Sequence, residues 1–157
     1  MPAVTTRPVD SADTPFLMDV FAHGGDVPAW VYAADPKLLE FQFGAQRAAY
    51  DARFPGAVHE IILVDGEPAG RSWWTEAADE IRILDIAVLP RFRRLGAGTT
   101  VYRALLARAR EQNKPVRASV GRLNAPSLAF HQRLGFTLTG ESETHLFLTA
   151  AADTSQG

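Results

Sequence analysis

Leu84-Asp85-Ile86-Ala87-Val88-Leu89-Pro90-Arg91-Phe92-Arg93-Arg94-Leu95-Gly96-Ala97-Gly98-Thr99 is the stretch that decides the reading of this chain. Ile81 to Leu89 is an apolar run that predicts a strand buried on both faces, and Pro90 ends it. Gly98 to Gln112 carries Val101, Tyr102, Leu105, Leu106 and Ala109 at helical spacing, which predicts a helix. Between strand and helix lies a basic loop holding Gly96 and Gly98. A helix start leaves backbone N–H groups unpaired and carries partial positive charge, so phosphate binds there readily. Glycine lets an oxygen reach the main chain with no Cβ in the way. Arg93 and Arg94 can add charge-assisted hydrogen bonds to a polyphosphate. A strand–helix turn whose glycines serve packing alone fits the same letters. A dinucleotide fingerprint needs a third glycine where Val101 stands, and a P-loop needs a Gly-Lys-Ser/Thr that is absent. The loop therefore suggests a phosphate site of another kind.

Upstream, Thr5 to Asp10 predicts a first strand, and Ser11 or Asp13 a cap for a short helix bearing Phe16, Leu17, Val20 and Phe21. Gly24, Gly25, Pro28 and Pro36 predict a loop from His23 to Pro36, with Trp30 and Tyr32 in it. A helix follows from Pro36 to Arg53. Glu60 to Val64 and Ala69 to Thr75 are strands joined by Asp65-Gly66, a strong hairpin signal. Downstream come a strand at Val116 to Val120, a helix capped by Asn124 and stopped at Gly135, and a last β pair, Phe136 to Thr139 with His145 to Thr149. Antiparallel strands first, then strand–helix–strand–helix–strand, make a mixed α+β sheet.

A second block, Asn124-Ala125-Pro126-Ser127-Leu128-Ala129-Phe130-His131-Gln132-Arg133-Leu134-Gly135-Phe136, has the spacing of an Asn…Ala…Tyr…Leu-Gly-Phe segment. Together with Arg93-x-x-Gly96-x-Gly98 after Ile86-Ala87-Val88, it resembles the GNAT superfamily of acyl-CoA-dependent N-acyltransferases over roughly residues 58–140. The resemblance implies a mostly antiparallel sheet with a splayed central strand and about four helices, in one domain over residues 1–150. Residues 151–157 form a small polar tail expected to fray.

The resemblance also implies roles. Main-chain atoms of Ile86, Ala87 and Val88 would pair with the pantetheine arm of acetyl-CoA. Arg93, Arg94, Leu95, Gly96, Ala97, Gly98 and Thr99 would cradle its pyrophosphate. Asn124, with Ser127 and His131 on the same helix, would complete the cofactor site, although Asn124 also suits a plain helix cap. Acetyl transfer needs a neutral amine, a polarised thioester carbonyl and a proton for the departing thiolate. The N–H of Val88 would serve the carbonyl. His131 stands where the family has a Tyr, and an imidazole can donate a proton near neutral pH; a plain packing or cofactor contact is its other reading. The base is less defined: Ser119 occupies a position where some members carry Glu, and Asp85, Glu80 and Glu76 are the nearby carboxylates. Asp85, inside an apolar run, needs either a structural partner or a role as base through water. Trp30, Tyr32, Phe41, Gln42, Gln46, Trp73 and Trp74 are candidates to line the acceptor pocket, and Arg82 and His145 to meet a carboxylate.

Composition sets the outer limits. At 46% hydrophobic and 22% charged residues, the chain can bury an ordinary globular core. Sixteen Lys and Arg against 18 Asp and Glu give a net charge of -2, which favours neither nucleic acid nor an anionic membrane as partner. The absence of cysteine excludes disulfides, thiolate metal sites and a Cys nucleophile. No metal is expected. With no signal-like N-terminus and no apolar run near the ~18 residues of a membrane span, the expected location is the cytoplasm. The expected activity is acetyl transfer from acetyl-CoA to a primary amine of a small molecule or peptide. A non-catalytic acyl-CoA sensor with the same fold is the alternative. The oligomeric state stays open, a homodimer included.

Overall fold

The structure, a computed structural model, describes residues 2–25 and 27–152. Most of the tail expected to fray, residues 153–157, lies outside the described residues. Seven strands form one sheet: β1 (Val4–Pro8), β2 (Val58–Val64), β3 (Glu67–Glu76), β4 (Ile81–Val88), β5 (Val116–Gly121), β6 (Thr137–Glu141) and β7 (His145–Ala150), in the order β1-β2-β3-β4-β5-β7-β6. Among the described residues five helices accompany them: α1 (Thr14–Gly24), α2 (Ala29–Ala34), α3 (Pro36–Arg53), α4 (Ala97–Glu111) and α5 (Ala125–Arg133). The mixed α/β fold expected from the sequence is the one observed. The chain divides into two compact units, Met1–Trp73 with Asp85–Gly98, and Trp74–Leu84 with Thr99–Gly157.

In the first unit, β1 pairs antiparallel with β2 from Val4↔Val64 to Pro8↔Glu60. The β2–β3 turn is a tight one because Asp65 and Gly66 both take left-handed backbone angles, φ 49° and 85°. Leu17, Phe43 and Ile61 form a buried cluster in this unit, flanked by Phe16, Phe21 and Leu63. Of the two predicted caps, Asp13 stands at the N-cap position of α1 but makes no side-chain cap bond. Asp10 caps a 3-10 turn over Ser11–Asp13 by accepting from the Ala12 N–H at 2.8 Å, and Asp13 instead pairs with Arg7 at 2.9 Å. The predicted His23–Pro36 loop also contains a helix, α2, one and a half turns long. Pro28 precedes it as cap residue and Asp35-Pro36 ends it, so the prolines punctuate a helix instead of excluding one.

In the second unit, β5 pairs antiparallel with β7 from Val116↔Ala150 to Gly121↔His145. β6 pairs with β7 across an irregularity between Leu138 and Gly140. β4 enters this unit parallel to β5, at Ile81↔Val116 and Arg82↔Arg117. Val101, Tyr102, Leu105 and Ala109 of α4 are all buried, the stripe expected from their spacing. β4 differs from expectation. Ile81 and Ile83 are buried, but Leu84 to Val88 are only half-buried, which suits a segment that carries a carboxylate at Asp85. Among the described residues no helix is long and apolar enough to cross a membrane.

Candidate active site

The end of β4 is fitted closely into the first unit. A Cβ added to Gly70 of β3 would stand 2.1 Å from the Ala87 carbonyl oxygen and 2.9 Å from Val88 Cα. A Cβ added to Gly24, at the end of α1, would stand 2.9 Å from the Ala87 Cβ. Sequence reasoning missed both glycines, because nothing in the letters tells which backbone approaches them. Beyond β4 the Leu89 N–H donates to the Ala69 carbonyl at 2.8 Å. Pro90–Phe92 form a 3-10 turn that buries Phe92.

Arg93 bonds two main-chain carbonyls. Its Nε donates to the Val88 carbonyl at 3.1 Å and its Nη2 to the His23 carbonyl at 2.8 Å, so the guanidinium braces the end of β4 against the end of α1. Arg94 and Gly96 take left-handed angles, φ 67° and 79°, and Gly96 faces open space. Left-handed turns of this kind build anion-binding concavities from main-chain N–H groups. α4 begins at Ala97, and the N–H groups of its first turn have no helical partner.

Asp85 is paired. Arg71 Nε donates to its Oδ2 at 2.7 Å and Arg71 Nη2 lies 2.6 Å from the same oxygen, while Nη2 also donates to Gln46 Oε1 at 2.7 Å. The Arg71 side chain is 1% exposed and that of Asp85 28%. Both contacts fall on Asp85 Oδ2, and the side chain as a whole is half-buried. The other two candidate carboxylates are held more fully. Lys114 and Arg108, each at 2.7 Å, hold Glu76 below the usual carboxylate range, and Arg82 and Arg117 bind Glu80 at 2.9 and 2.8 Å. The lowered Glu76 is a weak base, Glu80 has both its partners' guanidinium groups upon it, and Arg82 is not a free carboxylate receptor.

At the start of α5, the Asn124 side chain accepts from the Ser127 N–H at 3.2 Å, the cap expected. His131 is 5% exposed. Its Nδ1 lies 2.8 Å from the Ser127 carbonyl, which can only accept, so Nδ1 carries the hydrogen. Nε2, 2.7 Å from the Tyr102 hydroxyl, is then the acceptor. Burial lowers the His131 pKa, the Ser127 bond opposing it in part, so the ring stays neutral at neutral pH. The edge-on rings of Tyr102, Phe130 and Phe136 enclose it. In this arrangement the neutral ring has both nitrogens engaged, its one proton on the Ser127 carbonyl. Replacing His131 with Phe should therefore cost ~1–2 kcal/mol of stability for two buried hydrogen bonds. It should cost much less turnover than the ~10²–10⁴-fold of a lost acid. A melting curve and kcat measured on the variant check both; a collapse of kcat at unchanged Tm would return the donor role to His131.

The acceptor candidates also divide. Trp73 is 2% exposed, stacked on His59 at 4.3 Å and met edge-on by Tyr50 at 5.1 Å, so it is core. Tyr32 is 5% exposed and donates its hydroxyl to Gln42. Trp30 and Phe41 are exposed, and Trp74 lies under Arg108. Burial presses the neighbouring His59 down to about 4, aided by the charges of Arg71 and Arg47.

The profile of the Acetyltransferase (GNAT) family matches residues 27–136. The phosphinothricin N-acetyltransferase of Streptomyces viridochromogenes is 30% identical over 140 residues, covering 87% of this chain and 76% of that protein. The PaiA N-acetyltransferase of Thermoplasma acidophilum, solved with coenzyme A, superposes with a TM-score of 0.72 at 14% identity over 95% of this chain and 99% of its own. YncA of Salmonella typhimurium, solved with acetyl-CoA, gives 0.60 at 20% identity over 96% and 95%. At such identities the two structures speak to the fold.

Proposed function

Because the chain belongs to the acetyltransferase (GNAT) family, we propose that it moves the acetyl group of acetyl-CoA to the primary amine of a small molecule. The family match over residues 27–136, which contains both the phosphate-type loop and the Asn124 block, is the observation that carries this reading. The similarity to an N-acetyltransferase of phosphinothricin supports a small-molecule acceptor. Residues 1–150 would act as one catalytic domain.

On this reading the main chain of Arg94 to Thr99 receives the pyrophosphate, and Arg94 supplies the charge that Arg93 spends on bracing. The main-chain groups of Ile86 to Val88 take the pantetheine arm, and the Val88 N–H polarises the thioester carbonyl. Asn124 and Ser127 contribute from the start of α5. Asp85 offers its half-buried carboxylate to the acceptor amine, held in orientation by Arg71, which Gln46 holds in turn. The amine nitrogen attacks the carbonyl carbon; a C–N bond forms, the C–S bond breaks, and sulfur leaves with the electron pair. The amine's proton goes to water or to the departing sulfur, since His131 is engaged elsewhere.

Acetyl-CoA should raise the melting temperature by mass action, by about 2.7 kcal/mol of stability when it stands at roughly 100 times its Kd. An unchanged Tm at millimolar acetyl-CoA would sink the reading. Free thiol released on adding a panel of amines marks an enzyme; a Tm shift with no thiol from any amine marks the acyl-CoA sensor, which the engaged His131 keeps in view.

A further inference from the structure

The second unit carries a basic groove that acetyl transfer does not use. Arg103, Leu106 and Arg110 lie along one face of α4 at i, i+3 and i+7, and with Arg133 and Leu134 at the end of α5 they line a hollow of about 250 Å³. A second hollow of about 240 Å³ adjoins it, sharing Leu106, Arg110 and Leu134 and running on over Ala109, Val116 and Ala150. The first hollow's lining joins two leucines to three arginines. Other cations of this unit have carboxylate partners: Arg108 and Lys114 hold Glu76, Arg82 and Arg117 hold Glu80, and Arg122 holds Glu141. Among the described residues Arg103, Arg110 and Arg133 pair with no carboxylate. Arg110 and Arg133 sit in last helical turns, where the helix dipole favours a cation. That does not account for Arg103 in mid-helix, nor for two half-buried leucines lining the same hollow as the arginines.

We propose that this groove docks an acidic amphipathic peptide segment of a partner protein, its carboxylates on Arg103, Arg110 and Arg133 and its apolar side chains on Leu106 and Leu134. Charge complementarity selects an anionic occupant. Arg103 and Arg110 stand two helical turns apart, about 10 Å along the axis, which matches carboxylates spaced along a segment better than one compact phosphate. The leucines in the lining ask for apolar side chains that a phosphate lacks. Guanidinium groups bind carboxylates bidentately, so recognition is geometric as well as electrostatic.

The test is titration of the whole protein with a fluorescent twelve-residue peptide of Glu and Leu in amphipathic helical order. The same peptide with Gln for Glu, and inorganic pyrophosphate as competitor, complete the set. The Glu peptide is expected to bind, to weaken as salt rises, and to lose at least about tenfold in affinity, ~1.4 kcal/mol, with Arg103→Glu/Arg110→Glu and again with Arg133→Glu. The Gln peptide should bind at least about tenfold more weakly. An unchanged acetyl-CoA-dependent Tm shift in the variants shows that they are folded. The proposal fails if the Glu peptide does not bind, if both charge reversals leave its affinity unchanged, or if pyrophosphate displaces it at equal or lower concentration, which would mark a phosphate site.

Discussion

Gly70→Ala is expected to destabilise the protein by on the order of 3–5 kcal/mol and to weaken acetyl-CoA binding of the remaining folded protein at least tenfold. The new Cβ would stand 2.1 Å from the Ala87 carbonyl oxygen and 3.0 Å from its carbonyl carbon. Both atoms are main chain, so no rotamer change relieves the overlap; β3 or β4 must move. The residues displaced are Ala87 and Val88, the pair proposed to hold the pantetheine arm and polarise the thioester. Gly44→Ala is the contrast. No atom lies within 4 Å of its added Cβ, and Gly44 is inside α3, so a gain of ~0.5–1 kcal/mol is expected. Chemical denaturation and calorimetric titration with acetyl-CoA read both variants. Equal stability and affinity for Gly70→Ala and the wild type would show that β4 is not pinned here.

The second large effect concerns the buried ion pair. Asp85→Ala leaves Arg71, 1% exposed in its side chain, as a buried charge without a counter-ion, and should cost about 3–5 kcal/mol. Arg71→Met should cost less, because Asp85 is 28% exposed and water can solvate it. The double variant Arg71→Met/Asp85→Leu should recover much of the stability, since a well-packed apolar pair often equals an ionic one. It should not recover activity, if Asp85 receives the amine. Asp85→Asn separates the two roles. It keeps the shape and can still accept from Arg71, so its stability loss should be the smaller one, while KM for the amine rises more than kcat falls. A double variant as active as the wild type would reduce Asp85 to a structural partner.

Much of this was legible in the letters, for reasons that differ by element. The β4–loop–α4 unit reads well because strand ends, glycines and helical spacing are local signals. The Asn124 cap and the Gly135 stop, φ 98°, are local too. α2 was hidden because proline marks a loop and a helix start alike. Arg71 shows only as a charged letter within a strand. Its partners, Asp85 and Gln46, lie 14 and 25 residues away and are set by sheet register and helix placement, which no local pattern encodes. Trp73 and Trp74 are adjacent and chemically identical, yet one is core and the other lies under Arg108, because alternate strand residues face opposite sides. His131 was read by position, and only the rotamer shows its ring bonded to Tyr102.

The tight seat of Ala87 also bears on how sequences of this kind can diverge. Gly24 meets Ala87 through a side-chain atom, whereas Gly70 meets it through a carbonyl that every residue possesses. Positions 24 and 87 are therefore free to drift as a pair: an alanine at 24 becomes admissible once 87 has given up its methyl group, and the order of the two changes matters. Such a dependence is epistasis of sign, harmful alone and neutral together. Position 70 has no corresponding compensation, because no exchange of side chain at 87 removes the carbonyl. Along a lineage that keeps this strand end, 24 and 87 should covary as small residues while 70 stays glycine throughout.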